Sequence, residues 1–296
     1  MIRIFFHSAP LFLCAAVCFS SAEIEDVRQD YAFLEFESYP KFGSTSSSNQ
    51  NSSHYWRMAD QISFPVAHLG SHLLFGSFKN TLISRDIVYQ NQMLNDGLLQ
   101  RYWMAGGILL KNTPRETSSF MAAAGLNSDF ADLGPKDWNS EWIYTHAIQF
   151  TPRFRAGLGL DMQQFSGRFF RGQILDYFVF YPLIFIDWRL MQNTKFIWDA
   201  DYLELRQFVG NKLALTAGLR FNLEFFALKN DASYAYQSTG AEAGAQYSLG
   251  QHFYLRLKYK ELLIGREMMI APHDQALHQT WIHSGRSIRL NLAYGM

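Results

Sequence analysis

Ten polar residues fall at intervals of two, or multiples of two, within their own stretches of chain. They are Arg155 and Asp161; Arg220, Asn222 and Glu224; Glu242; Arg256, Lys258 and Lys260; and Arg289. On an extended backbone successive side chains point to opposite sides, so each such group shares one face. Charges of both signs on one face have two possible uses. They can line a polar passage that conducts or selects solutes, or they can pair with one another and fill a narrow interior. The sequence leaves both open.

Histidines and nucleophiles offer other chemistry. His68 and His72, read on one strand, would stand roughly 13 Å apart at about 3.3 Å per residue, too far to share an ion. His273, His278 and His283 fall in a segment read as a loop, 265–286, with Asp274 and Ser284. Three imidazoles could meet around a metal there, but metal sites need defined ligand spacing and nothing fixes it. His283 and Ser284 are the candidate pair for a hydrolase at a barrel rim, although neighbours on an extended chain point apart. Asp129, Asp132 and Asp137 fall in a second loop, where solvated acids are the simpler reading. There is no phosphate-binding loop, dinucleotide fingerprint or zinc-protease motif. No catalytic, metal or cofactor residue is assigned.

The elements that must hold the charged faces are strands. In Lys212–Leu228, KLALTAGLRFNLEFFAL, Leu213, Leu215, Ala217, Leu219, Phe221, Leu223 and Phe225 take one side, while Thr216, Arg220, Asn222 and Glu224 take the other. That alternation is a strand signature, and its length suits a tilted bilayer crossing of about 9–11 residues. The chain reads as an all-β antiparallel transmembrane barrel of about 14 strands (range 10–14) in meander order. The segments are 29–38, 59–77, 79–90, 102–111, 118–126, 141–150, 154–164, 176–188, 194–200, 203–209, 212–227, 234–247, 252–264 and 287–296. A flexible polar loop is read at 39–58, and Pro65 blurs the phasing after it. A slip near Asp199–Asp201 is either a tight turn or a bulge. From Thr151 onward short and longer connections alternate, as in outer-membrane barrels with short periplasmic turns and longer outer loops. Gly157, Gly159, Gly218, Gly240 and Gly244 fall on the presumed inner face, leaving room for packing or permitting strong coiling.

Residues 1–22 read as a secretory signal peptide: Arg3, an apolar run from Leu11 to Phe19, then Ser20-Ser21-Ala22. The single domain is 23–296. Cys14 and Cys18 are the only cysteines and both lie in the signal, which excludes disulfides and thiol chemistry from the mature chain. Without Arg3 the 26 Lys and Arg become 25 against 26 Asp and Glu, so no basic excess points to nucleic acid. The longest apolar run, Tyr177–Ile186, is half of what a membrane helix needs. Lipid accepts only helices and closed barrels.

With those residues in view, the chain resembles a family of uncharacterised outer-membrane β-barrel proteins of Gram-negative bacteria. The likeness covers about Ser118–Met296 and rests on GLNSDF at 125–130, RFRAGLGLDMQQ at 153–164, the apolar strand with Pro182, and the end SIRLNLAYGM. It implies the barrel fold and the outer-membrane location and brings no assigned activity. The signal peptide and the alternating strands themselves read as a non-enzymatic barrel, porin-like as a solute channel or envelope-structural, with a charged lumen; the expected partners are the lipid bilayer, lipopolysaccharide and the assembly machinery, with the solute open. A rim hydrolase acting on lipid or peptide is the alternative. The end departs from the usual terminal aromatic, since Gly295 and Met296 follow Tyr294.

Overall fold

The computed structural model describes residues 30–44, 52–89, 92–129, 137–165, 178–227, 233–250, 252–270 and 277–295. They form fourteen strands: β1 (Asp30–Ser44), β2 (Ser52–Leu69), β3 (His72–Tyr89), β4 (Gln92–Thr113), β5 (Glu116–Ser128), β6 (Trp138–Thr151), β7 (Phe154–Phe165), β8 (Phe178–Met191), β9 (Thr194–Asp199), β10 (Tyr202–Val209), β11 (Leu213–Ala227), β12 (Ser233–Ser248), β13 (Phe253–Ile270) and β14 (Leu277–Gly295). Each pairs antiparallel with its neighbours in sequence, and β1 closes on β14, with Ala32 opposite Tyr294 and Phe36 opposite Leu290. The result is a closed meander barrel, with no α-helix among the described residues.

Alternation decides which way each strand faces. In β11 Ala214 and Thr216 are buried while Leu215, Phe221 and Leu223 are exposed. In β14 Ser287, Arg289 and Asn291 are buried between exposed Ile288 and Leu290. A closed barrel thus turns its apolar side chains outward and its polar ones inward, the reverse of a soluble core. At the end with short turns, Phe150, Phe154 and Trp188 stack with ring centroids 5.6 and 5.7 Å apart, and Phe253 packs on Tyr294 at 5.0 Å. Aromatic clusters at one rim match the girdles of membrane barrels.

Several sequence boundaries need correcting. The polar segment 39–58 is largely strand: Tyr39 pairs with Tyr55 and Gly43 with Ser52. The segment 265–286 is also mostly strand, because β13 runs to Ile270 and β14 begins at Leu277. In both places the ladder continues through polar side chains, since backbone pairing needs no apolar residue. Residues 59–77 are not one strand. The turn lies at Gly70–Ser71, where Gly70 has φ 64°, a left-handed value that suits glycine. The blurred phase at Pro65 is a bulge, a register shift between Pro65 and Ala67. The slip near Asp199 is a tight turn, with Asp199 paired to Tyr202. The signal segment 1–22 lies outside the described residues.

The inner glycines are sites of close approach. A Cβ at Gly218 would collide with the carbonyl oxygen of Leu203 on β10, and one at Gly240 with the stem of Lys260. Glycine at the first lets the sheet coil tightly, and at the second it makes space for a buried cation.

The cross-section is not round. Fourteen strands about 4.8 Å apart and tilted about 40° would make a circle roughly 28 Å across. β5 and β11, six strands apart along the wall, would then be separated by nearly the whole diameter. Instead Ser128 and Ala227 form a parallel bridge, and Asn127 Nδ2 donates to Phe225 O at 3.3 Å. The barrel is pinched at the end opposite the short turns. One lobe runs from β11 through β14 and β1 to β5; the smaller lobe is bounded by β5 to β11.

Candidate functional site: the charged interior

Arg57 on β2 carries the clearest cross-lumen contact. Its Nη1 lies 2.6 Å from Glu35 Oε1 on β1, and its Nε donates to Glu224 Oε1 on β11 at 3.2 Å. β2 and β11 are five strands apart, which in a circular barrel puts the walls about 25 Å from each other. Extended Arg and Glu side chains together reach roughly half of that, so this pair also requires the flattened cross-section.

From Glu35 the chain of charges continues around the wall. Arg289 Nη1 lies 3.6 Å from Glu35 Oε2, and Arg289 Nη2 pairs with Glu242. Lys258 Nζ stands 3.6 Å from Glu242 and 2.6 Å from Glu204 Oε2 on β10. Arg206 Nε donates to Glu204 Oε1 at 2.9 Å. Ser287 Oγ donates to Glu37 Oε1 at 2.7 Å, and Glu37 and Lys260 attract one another electrostatically. Exposure falls to 1 % at Lys260 and 3 % at Glu37 and Arg289. Charges this buried are tolerated only when paired, because an isolated one would lose its hydration without return.

The remaining sequence candidates sit at the edges of this network. Arg220 Nη2 lies 3.7 Å from Asp201 Oδ2, and its Nε donates to Asn222 Oδ1 at 3.3 Å. Arg256 Nε donates to Gln246 Oε1 at 2.9 Å. Arg155 and Asp161 belong to the other side of the barrel. Arg155 Nη2 donates to Thr117 Oγ1 at 2.7 Å, while the Gln163 amide donates to Glu141 Oε1 at 2.7 Å and to Asp161 Oδ2 at 2.6 Å. Thus Glu224, Glu242, Lys258, Lys260 and Arg289 are brought together, with Arg220 attracted electrostatically to Glu35 and Glu242; Arg155, Asp161 and Arg256 are not joined to them by these contacts.

Sequence reasoning missed Glu35, Glu37, Arg57, Glu204 and Arg206. Glu35 and Glu37 alternate with Leu34 and Phe36, and Glu204 and Arg206 flank Leu205, so period-2 alternation was the available signal for four of them. Nothing local marks Arg57, whose partner Glu224 is 167 residues away.

The pinched end of the interior is packed differently. Phe226, Tyr234 and Tyr236 are buried there, together with Ile83, Leu99, Asn127 and Ser128. Arg101 lies over the Trp103 ring at 4.5 Å. Beside Tyr202, Glu204 and Lys258 a small polar cavity leaves room for about one water.

The histidine expectations change with the strand boundaries. His68 and His72 do not share a strand: they flank the turn, with His68 opposite Leu73 and Leu69 opposite His72, hence on opposite faces. His278 and His283 lie in β14 rather than a loop, separated by about 16 Å of extended backbone. Ser284 is paired in the same ladder, opposite Gly43. His273 and Asp132 lie outside the described residues. Asp137 is buried just before β6, not solvated. Among the described residues no three His, Cys, Asp or Glu are grouped to hold a metal.

No protein-family model matches the chain, and no curated protein does. Solved barrels do. The chain is similar to the NanC porin at 7 % identity, covering 89 % of this chain and 100 % of that one, with a TM-score of 0.42. It is similar to a deltaS2 mutant of the TodX monoaromatic hydrocarbon channel at 8 % identity over 90 % and 89 % of the two chains, TM-score 0.39. The outer membrane protease OmpT from Escherichia coli matches at 8 % identity over 90 % and 94 %, TM-score 0.21. The closed barrel rests on the strand pairing described above and not on these likenesses. At these values the likeness carries no argument about activity.

Proposed function

We propose that the chain is an integral outer-membrane β-barrel whose interior is sealed at rest, serving the envelope as a closed barrel rather than as an open general pore. The observation that carries this reading is the Arg57–Glu224 contact across the lumen, continued by Glu35, Arg289, Glu242, Lys258 and Glu204. Opposite charges consume one another's field, and across the larger lobe the walls lie within reach of two side chains, Arg57 and Glu224. The β5–β11 bridge narrows the end opposite the short turns further. Exposed Leu158, Leu215, Leu223, Leu257, Ile288 and Leu290 form an outer surface too apolar for water, which supports placement in lipid. No group among the described residues is assigned to catalysis.

Two measurements test the proposal. Outer membranes should release the protein only with detergent, as a band whose mobility changes on heating. A product recovered in the soluble periplasmic fraction refutes the membrane assignment. Vesicles carrying the folded barrel should not swell in isotonic arabinose, whereas swelling at the rate of a general porin refutes the sealed interior.

A further inference from the structure

Among the described residues the wall of the smaller lobe is incomplete. β9 and β10 have 6 and 8 residues, whereas their neighbours β8 and β11 have 14 and 15. The ladder between β8 and β9 ends at Ile186 opposite Trp198, and that between β10 and β11 ends at Tyr202 opposite Arg220. Above the Ala200–Asp201 turn, β8 and β11 continue with no described strand in the two positions between them. At the level of the hairpin those strands are three spacings apart, about 14 Å.

The opening has built margins. Its floor is the turn, held by the Phe221 N–H donating to Asp201 O at 2.7 Å, with Ala200 N donating to Asp199 Oδ1 at 2.7 Å. Its roof on the β11 side is the tip of β5, where Asn127 reaches Phe225 O and Ser128 bridges Ala227. Four residues separate Phe221 from Phe225, about 13 Å along the strand.

Proline marks the opposite margin. Arg189 N donates toward β7, to Arg153 O at 2.8 Å, so odd-numbered residues of β8 point their amides at β7 and even-numbered ones at the β9 side. Residue 182 therefore faces the vacancy, and it is proline, which has no amide hydrogen to leave unpaired. A continued β9 would lose a ladder bond there. Proline on an open edge also blocks the docking of a foreign strand. Hairpin length and edge chemistry agree.

The surfaces on the two sides of the opening differ. Outside, Phe180, Pro182 and Ile184 on β8 and Phe221 and Leu223 on β11 are exposed apolar groups. Inside, Asn222 and Arg220 offer polar groups on β11, and Asp161, opposite Tyr181 in the β7–β8 ladder, accepts from Gln163. We infer that this gap is a lateral portal through which an acyl chain of the surrounding lipid leaflet enters the smaller lobe. Lipid chains are the occupant because the apolar flanks hold the opening within the lipid-covered band, and Pro182 disfavours a strand. The inference rests on the membrane assignment proposed above.

Cysteine labelling tests it, as the sequence has no cysteine beyond Cys18. Bimane is attached to Asn222→Cys or Tyr181→Cys, inner positions beside the gap, in phosphatidylcholine vesicles with and without doxyl-labelled phosphatidylcholine. Leu223→Cys reports the outer surface, and Thr216→Cys reports an inner position behind the intact β10 wall. Heat-modifiability verifies folding of each variant. The expected result is loss of emission at Asn222 or Tyr181 approaching that at Leu223, with Thr216 unaffected. Quenching at Leu223 while both inner labels match Thr216 overturns the portal and leaves the membrane assignment standing. No quenching at Leu223 overturns the membrane assignment itself.

Discussion

Replacing Arg57 by Met, Glu224 by Gln, and both together makes a thermodynamic cycle across the lumen. Arg57→Met removes the cation that faces Glu35 at 2.6 Å and Glu224 at 3.2 Å. Breaking a buried pair by deleting one partner costs about 3–5 kcal/mol, because the other charge stays buried. Two features reduce the figure here. The Arg57 and Glu224 side chains keep 13 % and 12 % of their exposure, and Glu35 retains Arg289 at 3.6 Å. We expect about 3 kcal/mol for Arg57→Met, about 1–2 kcal/mol for Glu224→Gln, and a coupling of about 1.5 kcal/mol in the double variant, since a hydrogen bond between charged groups contributes about that much. Met keeps the length of the arginine stem, so the loss reports charge more than packing. Unfolding by urea in phospholipid vesicles, followed by fluorescence of the seven tryptophans, measures all four species. Additive losses, within about 0.3 kcal/mol, would mean the two side chains do not touch. The walls would then stand apart as in a round barrel, and the sealed interior would lose its main support.

Three other outcomes follow from the same geometry. Pro182→Val should cost about 1–3 kcal/mol, because the restored amide is left without a ladder partner on a lipid-facing edge, whereas Ile186→Pro, opposite Trp198, should cost about 3 kcal/mol or more; urea midpoints in vesicles compare them. Gly218→Ala should cost about 1–3 kcal/mol by forcing β10 and β11 apart, read in the same assay. Lys260→Met, which removes a cation buried beside Glu37 and Glu242, should lower the urea midpoint, and pairing it with Glu37→Gln should recover part of the loss.

The sequence made the wall legible and the interior only partly so. In β11, in β7 from Phe154 to Met162 and in β14 from Ile288 to Tyr294 one face is apolar without interruption, so type, direction and inner residues follow there from period two alone. Strand ends were harder. Beyond the apolar band, β1, β2, β13 and β14 continue through residues such as Ser52 and Arg266, whose side chains carry no strand signal, so 39–58 and 265–286 looked like loops. Pro65 hid a hairpin because its bulge shifts the alternation by one residue. The charges of β1 and β10 could have been found by the same rule. Their pairing could not, since Arg57 meets Glu224, and Ser128 meets Ala227, only after the barrel flattens, and no local pattern encodes a cross-section. The short β9–β10 hairpin was visible only as a phase slip near Asp199, open to a turn or a bulge, and its meaning depends on Pro182 lying at the same open edge.

The sealed interior is tested most directly by single-channel recording of the native barrel in planar lipid bilayers. Folding is verified by heat-modifiability of the same sample, and insertion by protease protection. The expected record is silent across applied voltage, with Arg57→Met producing intermittent small steps as the bridge from Glu35 through Arg57 to Glu224 is lost. Stable stepwise conductance from the unaltered protein would contradict the account.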